Sequence, residues 1–197
     1  TTERALMYKF YVVGLGGSGG KTLQFLMDQL HTELRRRGWQ GDRLPRCWQF
    51  VHVDVPAQPD GVGDGLPPTV PAQGGRYIPV TTPSDQYRQL DAGLELSLSQ
   101  TPDQLRPLVG WRPDASRVAT PIVLGAGQFR AVGRLATLAR AKGIFEGLRE
   151  AAQDLNAGEA NQDFSELQRV LGKGYAPPQG TMVMVISSLA GGTGASM

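Results

Sequence analysis

Apolar and polar positions fall in short, contrasting blocks along this chain. Residues 8–13 (YKFYVV) form an aromatic and β-branched run closed by glycine, the pattern of a buried strand. Beyond the glycines, Leu23, Leu26, Met27, Leu30 and Leu34 recur at helical spacing and predict a single apolar stripe, with Gly38 placed to end the helix. Residues 48–53 (WQFVHV) read as a second strand that ends at Asp54. Strand, helix, strand is the start of a right-handed βαβ unit with parallel strands.

The periodicity then stops. Residues 55–83 hold half of the chain's fourteen prolines together with Gly61, Gly63, Gly65, Gly74 and Gly75, and predict a long surface insertion with a short strand at 77–80. Ser84 is placed to cap a polar helix running toward Leu98, and residues 101–109 predict another helix. Residues 121–124 (PIVL) read as a short strand ending in Gly125-Ala126-Gly127. A helical region over 129–155 follows, with Ile144, Leu148, Ala151 and Leu155 on its apolar face and a bend near Gly143 or Gly147. Residues 156–161 break it, 164–171 form a short helix, and 181–186 (TMVMVI) read as a buried strand before SSLAGGTGAS.

Composition narrows the class. A chain of 197 residues with 40% hydrophobic and 19% charged residues supports one α/β domain over 1–197, with 55–83 as an insertion within it. The net charge of +2 provides no basic face for nucleic acid or an anionic membrane, and the run Arg35, Arg36, Arg37 complements a helix C-terminus. Cys47 is the only cysteine, which removes disulfide and cysteine-metal frameworks and fits a reducing, cytoplasmic setting. His31 and His52 lack metal-ligand spacing and read as structural, and no metal ligand is assigned. Neither a membrane span nor a secretory signal is expected. With no initial methionine and an end just past a glycine cluster, the sequence is expected to be part of something longer.

The candidate chemistry lies in the glycines. Five occur within seven residues, at Gly14, Gly16, Gly17, Gly19 and Gly20, followed by Lys21 and Thr22. Gly14-x-Gly16-x-x-Gly19 fits a dinucleotide fingerprint with Asp54 as the ribose ligand, although the acid comes later than usual. A G-x-x-x-x-G-K-[ST] phosphate loop requires glycine where Leu15 stands. The recurrence of the motif separates these readings. Glycine turns follow three predicted strands, and parallel strands end on one sheet edge, where backbone amides from three loops suit a polyphosphate.

Ala190-Gly191-Gly192-Thr193-Gly194-Ala195 resembles the signature of the tubulin/FtsZ superfamily. The loop Gly14-Leu15-Gly16-Gly17-Ser18-Gly19-Gly20 is similar to the opening loop of FtsZ-type proteins, and Leu124-Gly125-Ala126-Gly127 to that family's γ-phosphate loop. Val53-Asp54 ahead of Pro56 resembles the segment after the second strand of tubulins, and the matches keep the family's order from the first strand to the end. The resemblance implies a Rossmann-like, tubulin/FtsZ-type nucleotide-binding domain that takes GTP or GDP, with Mg2+ as a candidate metal. The first loop, with Lys21, and the Ala190–Gly194 turn would hold the α- and β-phosphates, Gly125, Ala126 and Gly127 would approach the γ-phosphate, and Thr193 would offer its hydroxyl as well as its amide. It also implies head-to-tail self-association through the nucleotide face. GTP hydrolysis is expected only of the full-length assembled protein, whose catalytic acids lie in a second half.

The chain departs from the family pattern at Lys21, Pro56 and Ser196. Pro56 and Ser196 favour a pseudo-GTPase assembly protein as one alternative. The GxGGxG loop by itself fits another, a Rossmann enzyme using a dinucleotide or ATP, such as a ThiF-like activating enzyme. Asp54 also fits a loop cap. Trp39, Trp48 and Trp111 read as packing residues. Ser187 and Ser188 have no histidine or acid nearby in sequence and do not read as nucleophiles.

Overall fold

A computed structural model describes residues 7–60, 63–99, 111–118, 121–172 and 180–197. Four parallel strands form one sheet in the order β3-β2-β1-β4, from β1 (Lys9–Leu15), β2 (Trp48–Asp54), β3 (Arg76–Pro79) and β4 (Thr181–Ser187). The chain steps outward from β1 to β2 and β3, then returns to place β4 on the other side of β1. The order therefore reverses beside β1, and the crevice beyond the strand carboxyl ends at that point is where open α/β sheets bind ligands.

Both faces of the sheet are covered, as parallel strands require. On one face, α1 (Gly16–Arg36) buries Leu23, Met27 and Leu34 against Val12 and Phe50, joined by Phe164 and Leu167 of α5 (Gly158–Leu171). On the other, Tyr11, Val13, Val51 and Val53 meet α2 (Tyr87–Ser99), α3 (Arg130–Ala139) and α4 (Ala141–Asp154). Alternate residues of β1 and β2 thus feed two separate cores. The molecule is an α/β, Rossmann-like domain. The stripe read from the sequence is the buried face of α1, which carries Arg35 and Arg36 in its last turn, with Gly38 just beyond at φ 96°.

Lys9 is an unexpected core member. It is 8% exposed, and its ammonium donates to the Leu155 carbonyl at 2.6 Å and to Asn161 Oδ1 at 2.9 Å. A buried charge is tolerated only with such partners, and here it ties the start of β1 to the α4–α5 junction.

Several expectations are corrected. Residues 121–124 do not form a strand. Ile122–Leu124 is a 3-10 turn in which Ile122 is buried and Leu124 is 78% exposed, because Pro121 and Gly125 leave too few residues to pair. β4 is a strand but is not buried. It is a sheet edge, and Val183 and Val185 are each 62% exposed. The helical region over 129–155 divides at Arg140, not at a glycine. Arg140 leaves helical geometry (φ −116°, ψ 13°), and its guanidinium is tied to Asp85 at 2.5 Å. Ser84 does not cap α2. Residues 82–85 form their own turn, closed by the Thr82 amide donating to Asp85 Oδ2 at 2.8 Å, and the helix starts at Tyr87. Residues 156–161 do not all break the helical run, since α5 already begins at Gly158. The helix expected over 101–109 lies outside the described residues. Among the described residues, no helix is long and apolar enough to cross a membrane.

Candidate functional site

The parallel register sets Leu15 of β1 beside Val53 of β2 and Ser187 of β4, so three strand ends open on the same edge. A cavity of about 280 Å³ lies there, walled by Gly16, Gly17, Ser18 and Lys21 from the first turn, Gly125, Ala126 and Gly127 from the second, and Gly191, Gly192, Thr193 and Gly194 from the third. Asp54 closes the floor. Twelve of the residues read from the sequence as site residues therefore meet in one cleft. Gly14, Gly19, Gly20 and Ala190 do not line it.

The glycines divide by task. A Cβ on Gly14 would stand 2.7 Å from the Gly19 carbonyl oxygen, and one on Gly19 would stand 2.6 Å from the Ile186 carbonyl oxygen. These two residues let α1 press onto the strand edge. Gly17 is different, since its nearest neighbours would be carboxylate oxygens of Asp54 and Asp60, both at 3.9 Å. Gly191 faces open space, with nothing within 4 Å. Packing explains the first pair and leaves Gly17 and Gly191 facing the cavity.

The electrostatics favour an anion held by main chain. α1 begins at Gly16, its N-cap is Leu15, and no side chain caps it. The first-turn amides of a helix have no intrahelical partner, and the aligned peptide dipoles add positive potential there. Side-chain charge does not supply it. Among the described residues, Lys21 is the one cation on the cavity wall, against the carboxylates of Asp54 and Asp60.

The loops are cross-linked. The Thr193 hydroxyl donates to Asp54 Oδ1 at 2.6 Å, and the Val55 amide donates to the same oxygen at 2.7 Å. Asp54 is 4% exposed and Thr193 5%, so β2 holds the third turn through a buried bond. A hydroxyl has one proton to give, and here it goes to Asp54. The Gly192 amide donates to the Gly127 carbonyl at 2.8 Å, joining the second turn to the third. Ser196 Oγ donates to the Arg130 carbonyl at 2.8 Å and also contacts the Gly192 carbonyl, anchoring the third turn to α3. Below the floor, burial pushes the Tyr77 phenol up, with the charges of Asp54 and Asp60 adding to the effect. Its hydroxyl donates to the Pro56 carbonyl at 2.6 Å.

A family model described as tubulin like matches residues 11–197. The chain belongs to the tubulin-like family. No curated protein and no solved structure gave a match. The match runs from within β1 through the third turn, so every wall of the cleft falls inside the family's extent in this tubulin-like chain.

Sequence reasoning missed Leu15, Pro56, Asp60, Leu124 and Ser188 as wall residues. Pro56 and Asp60 belong to the start of the insertion, which is brought to the second turn by the Ala57 amide donating to the Val123 carbonyl at 3.2 Å. Only the three-dimensional return of that segment reveals them.

Proposed function

We propose that this tubulin-like chain binds GTP or GDP by its phosphates in the three-turn cradle, and that the full-length protein self-associates head to tail through this face. The observation that carries the reading is the pair of glycines, Gly17 and Gly191, that packing leaves unexplained in the lining of one cleft at an uncapped helix N-terminus. Backbone that approaches a ligand closely needs glycine, and a polyphosphate is the ligand that unpaired amides and a helix N-terminus suit. Family membership adds the choice of a guanine nucleotide.

A divalent cation fits this donor set. Asp60 and the second oxygen of Asp54 are hard oxygen ligands beside the proposed phosphates, the combination that Mg2+ takes. When bound, such an ion would neutralise phosphate charge facing the two carboxylates. In this reading the chain's own residues bind and orient the nucleotide, and hydrolysis is not assigned to them.

Pro56 on the cavity wall favours a second reading, an assembly protein that holds nucleotide without turnover. Phosphate release from GTP by the full-length assembled protein separates the two. The binding claim is tested by titrating GTP, ATP and NAD side by side into the folded chain. Preference for GTP supports the reading, and preference for ATP or NAD replaces it with the Rossmann-enzyme alternative.

A further inference from the structure

We propose that His52, in the middle of β2, is the positioning residue that sets the first phosphate turn. This inference rests on the three-turn cradle being a phosphate site. The side chain is 3% exposed and lies on the α1 face of the sheet, beneath the start of that helix. Its Nε2 is 3.2 Å from the Gly16 carbonyl oxygen. A carbonyl can only accept, so Nε2 carries the proton in this contact. The same nitrogen lies 3.7 Å from Asp54 Oδ2, beyond hydrogen-bond distance, so its partner is the first residue of α1, with the carboxylate that holds Thr193 close by.

The fit is close on every side. A Cβ on Gly20 would overlap the imidazole ring, coming within 2.7 Å of Nδ1, so the helix can settle here only with glycine at that position. Tyr77 meets the ring edge-on, with centroids 5.1 Å apart at 65°, and its hydroxyl is fixed on the Pro56 carbonyl. The ring is therefore held from above by α1 and from the side by β3.

Gly16 is the residue that most needs such a hold. Its φ of 71° lies in the left-handed region, and a Cβ there would stand 2.9 Å from the Gly194 amide nitrogen. A change in the backbone angles at Gly16 would re-aim the amides that follow at Gly17 and Ser18. By donating to the Gly16 carbonyl from beneath, His52 holds that peptide in place, and with it the aim of the amides that follow. His52 thus acts on a bound phosphate through Gly16 without touching it.

The test compares His52→Gln, whose amide nitrogen reaches about as far as Nε2 and keeps a proton to donate, with His52→Leu, which keeps bulk and loses the donor. His52→Met serves as the flexible second apolar variant should the leucine fail to fold. Affinity is measured for GTP and for inorganic tripolyphosphate, together with amide hydrogen exchange along α1 in the ligand-free chain. The expected result is affinity within about threefold of wild type for the glutamine and a loss of about tenfold for the apolar variants, the effect of one hydrogen bond. Exchange should quicken over residues 19–22, the first amides bonded within the helix, in the apolar variants and stay unchanged over 27–34. Wild-type affinity and exchange in His52→Leu would overturn the proposal, as would a glutamine variant no better than the leucine. Failure of wild type to bind either probe would instead overturn the phosphate-cradle reading, and the exchange comparison alone would then decide whether His52 holds the turn.

Discussion

The turn after β1 and the turn after β4 are both rich in glycine, follow paired parallel strands and open on one cavity, yet they are held in different ways. The first is set mainly by packing, with His52 beneath the Gly16 carbonyl as its polar contact. Behind it stands a 21-residue helix, and Gly14 and Gly19 let that helix meet the sheet at backbone contact. The last is also tightly packed at Gly192 and Gly194, but it adds a set of polar cross-links, from Thr193 to Asp54, from Gly192 to Gly127, and from Ser187 Oγ to the Gly194 carbonyl at 2.6 Å. Each turn then spares one glycine for the cavity. Glycines that look alike in sequence thus do two kinds of work, and damage to the two turns should differ in both size and kind.

Gly19→Ala should be the most harmful change, because the new carbon would meet the Ile186 and Gly14 backbone, which cannot move aside like a flexible side chain. A loss of about 3 kcal/mol is expected from denaturant unfolding, the upper range for overpacking. A variant as stable as wild type would break the claim that packing sets the first turn. Thr193→Val should come next. It removes a donor from a buried carboxylate at a cost of about 1–3 kcal/mol, and increased hydrogen exchange should be concentrated in residues 188–196. Uniform loss of protection across the sheet would contradict a local role. Gly17→Ala and Gly191→Ala should change stability least, by no more than about 0.5 kcal/mol in thermal or denaturant unfolding, since neither new carbon has a close neighbour.

Much of this architecture was legible in the sequence. The β-branched runs, the helical stripe from Leu23 to Leu34 and the placement of glycines after strands led to a parallel α/β sheet, and eleven residues of the cleft followed from three short motifs, with Asp54 added from the end of the second strand. What stayed hidden depends on neighbours distant in the chain. The run at 121–124 is as apolar as a strand, but only Ile122 is fully buried while Val123 packs at the core's margin, and with Pro121 before it and a glycine after it the segment turns. β4 has the apolar composition of a central strand and occupies an edge. Apolar composition does not distinguish the two cases, because burial is conferred by what packs above. His52 read as an ordinary structural histidine within β2. Its relation to Gly16, 36 residues away, exists only once strand order and register bring α1 over it.

The same limit applies to the glycine cluster. Its density suggested one ligand-driven purpose, whereas Gly14, Gly19 and Gly20 answer to the Ile186 carbonyl, to each other and to a histidine ring. Asp60 went unnoticed because it sits in a proline-rich segment with no pattern, and it reaches the cavity only through the path of the insertion.

The central claim is that the cradle receives phosphate, and Gly191→Asp tests it most directly. Residue 191 has no neighbour within 4 Å of its would-be Cβ, so the variant should fold with wild-type stability while placing a carboxylate on the cavity wall. Calorimetric titration of GTP into both proteins should show binding by wild type and a loss of about a hundredfold or more in the variant, the scale of like-charge juxtaposition. Equal affinity in two equally stable proteins would contradict the account.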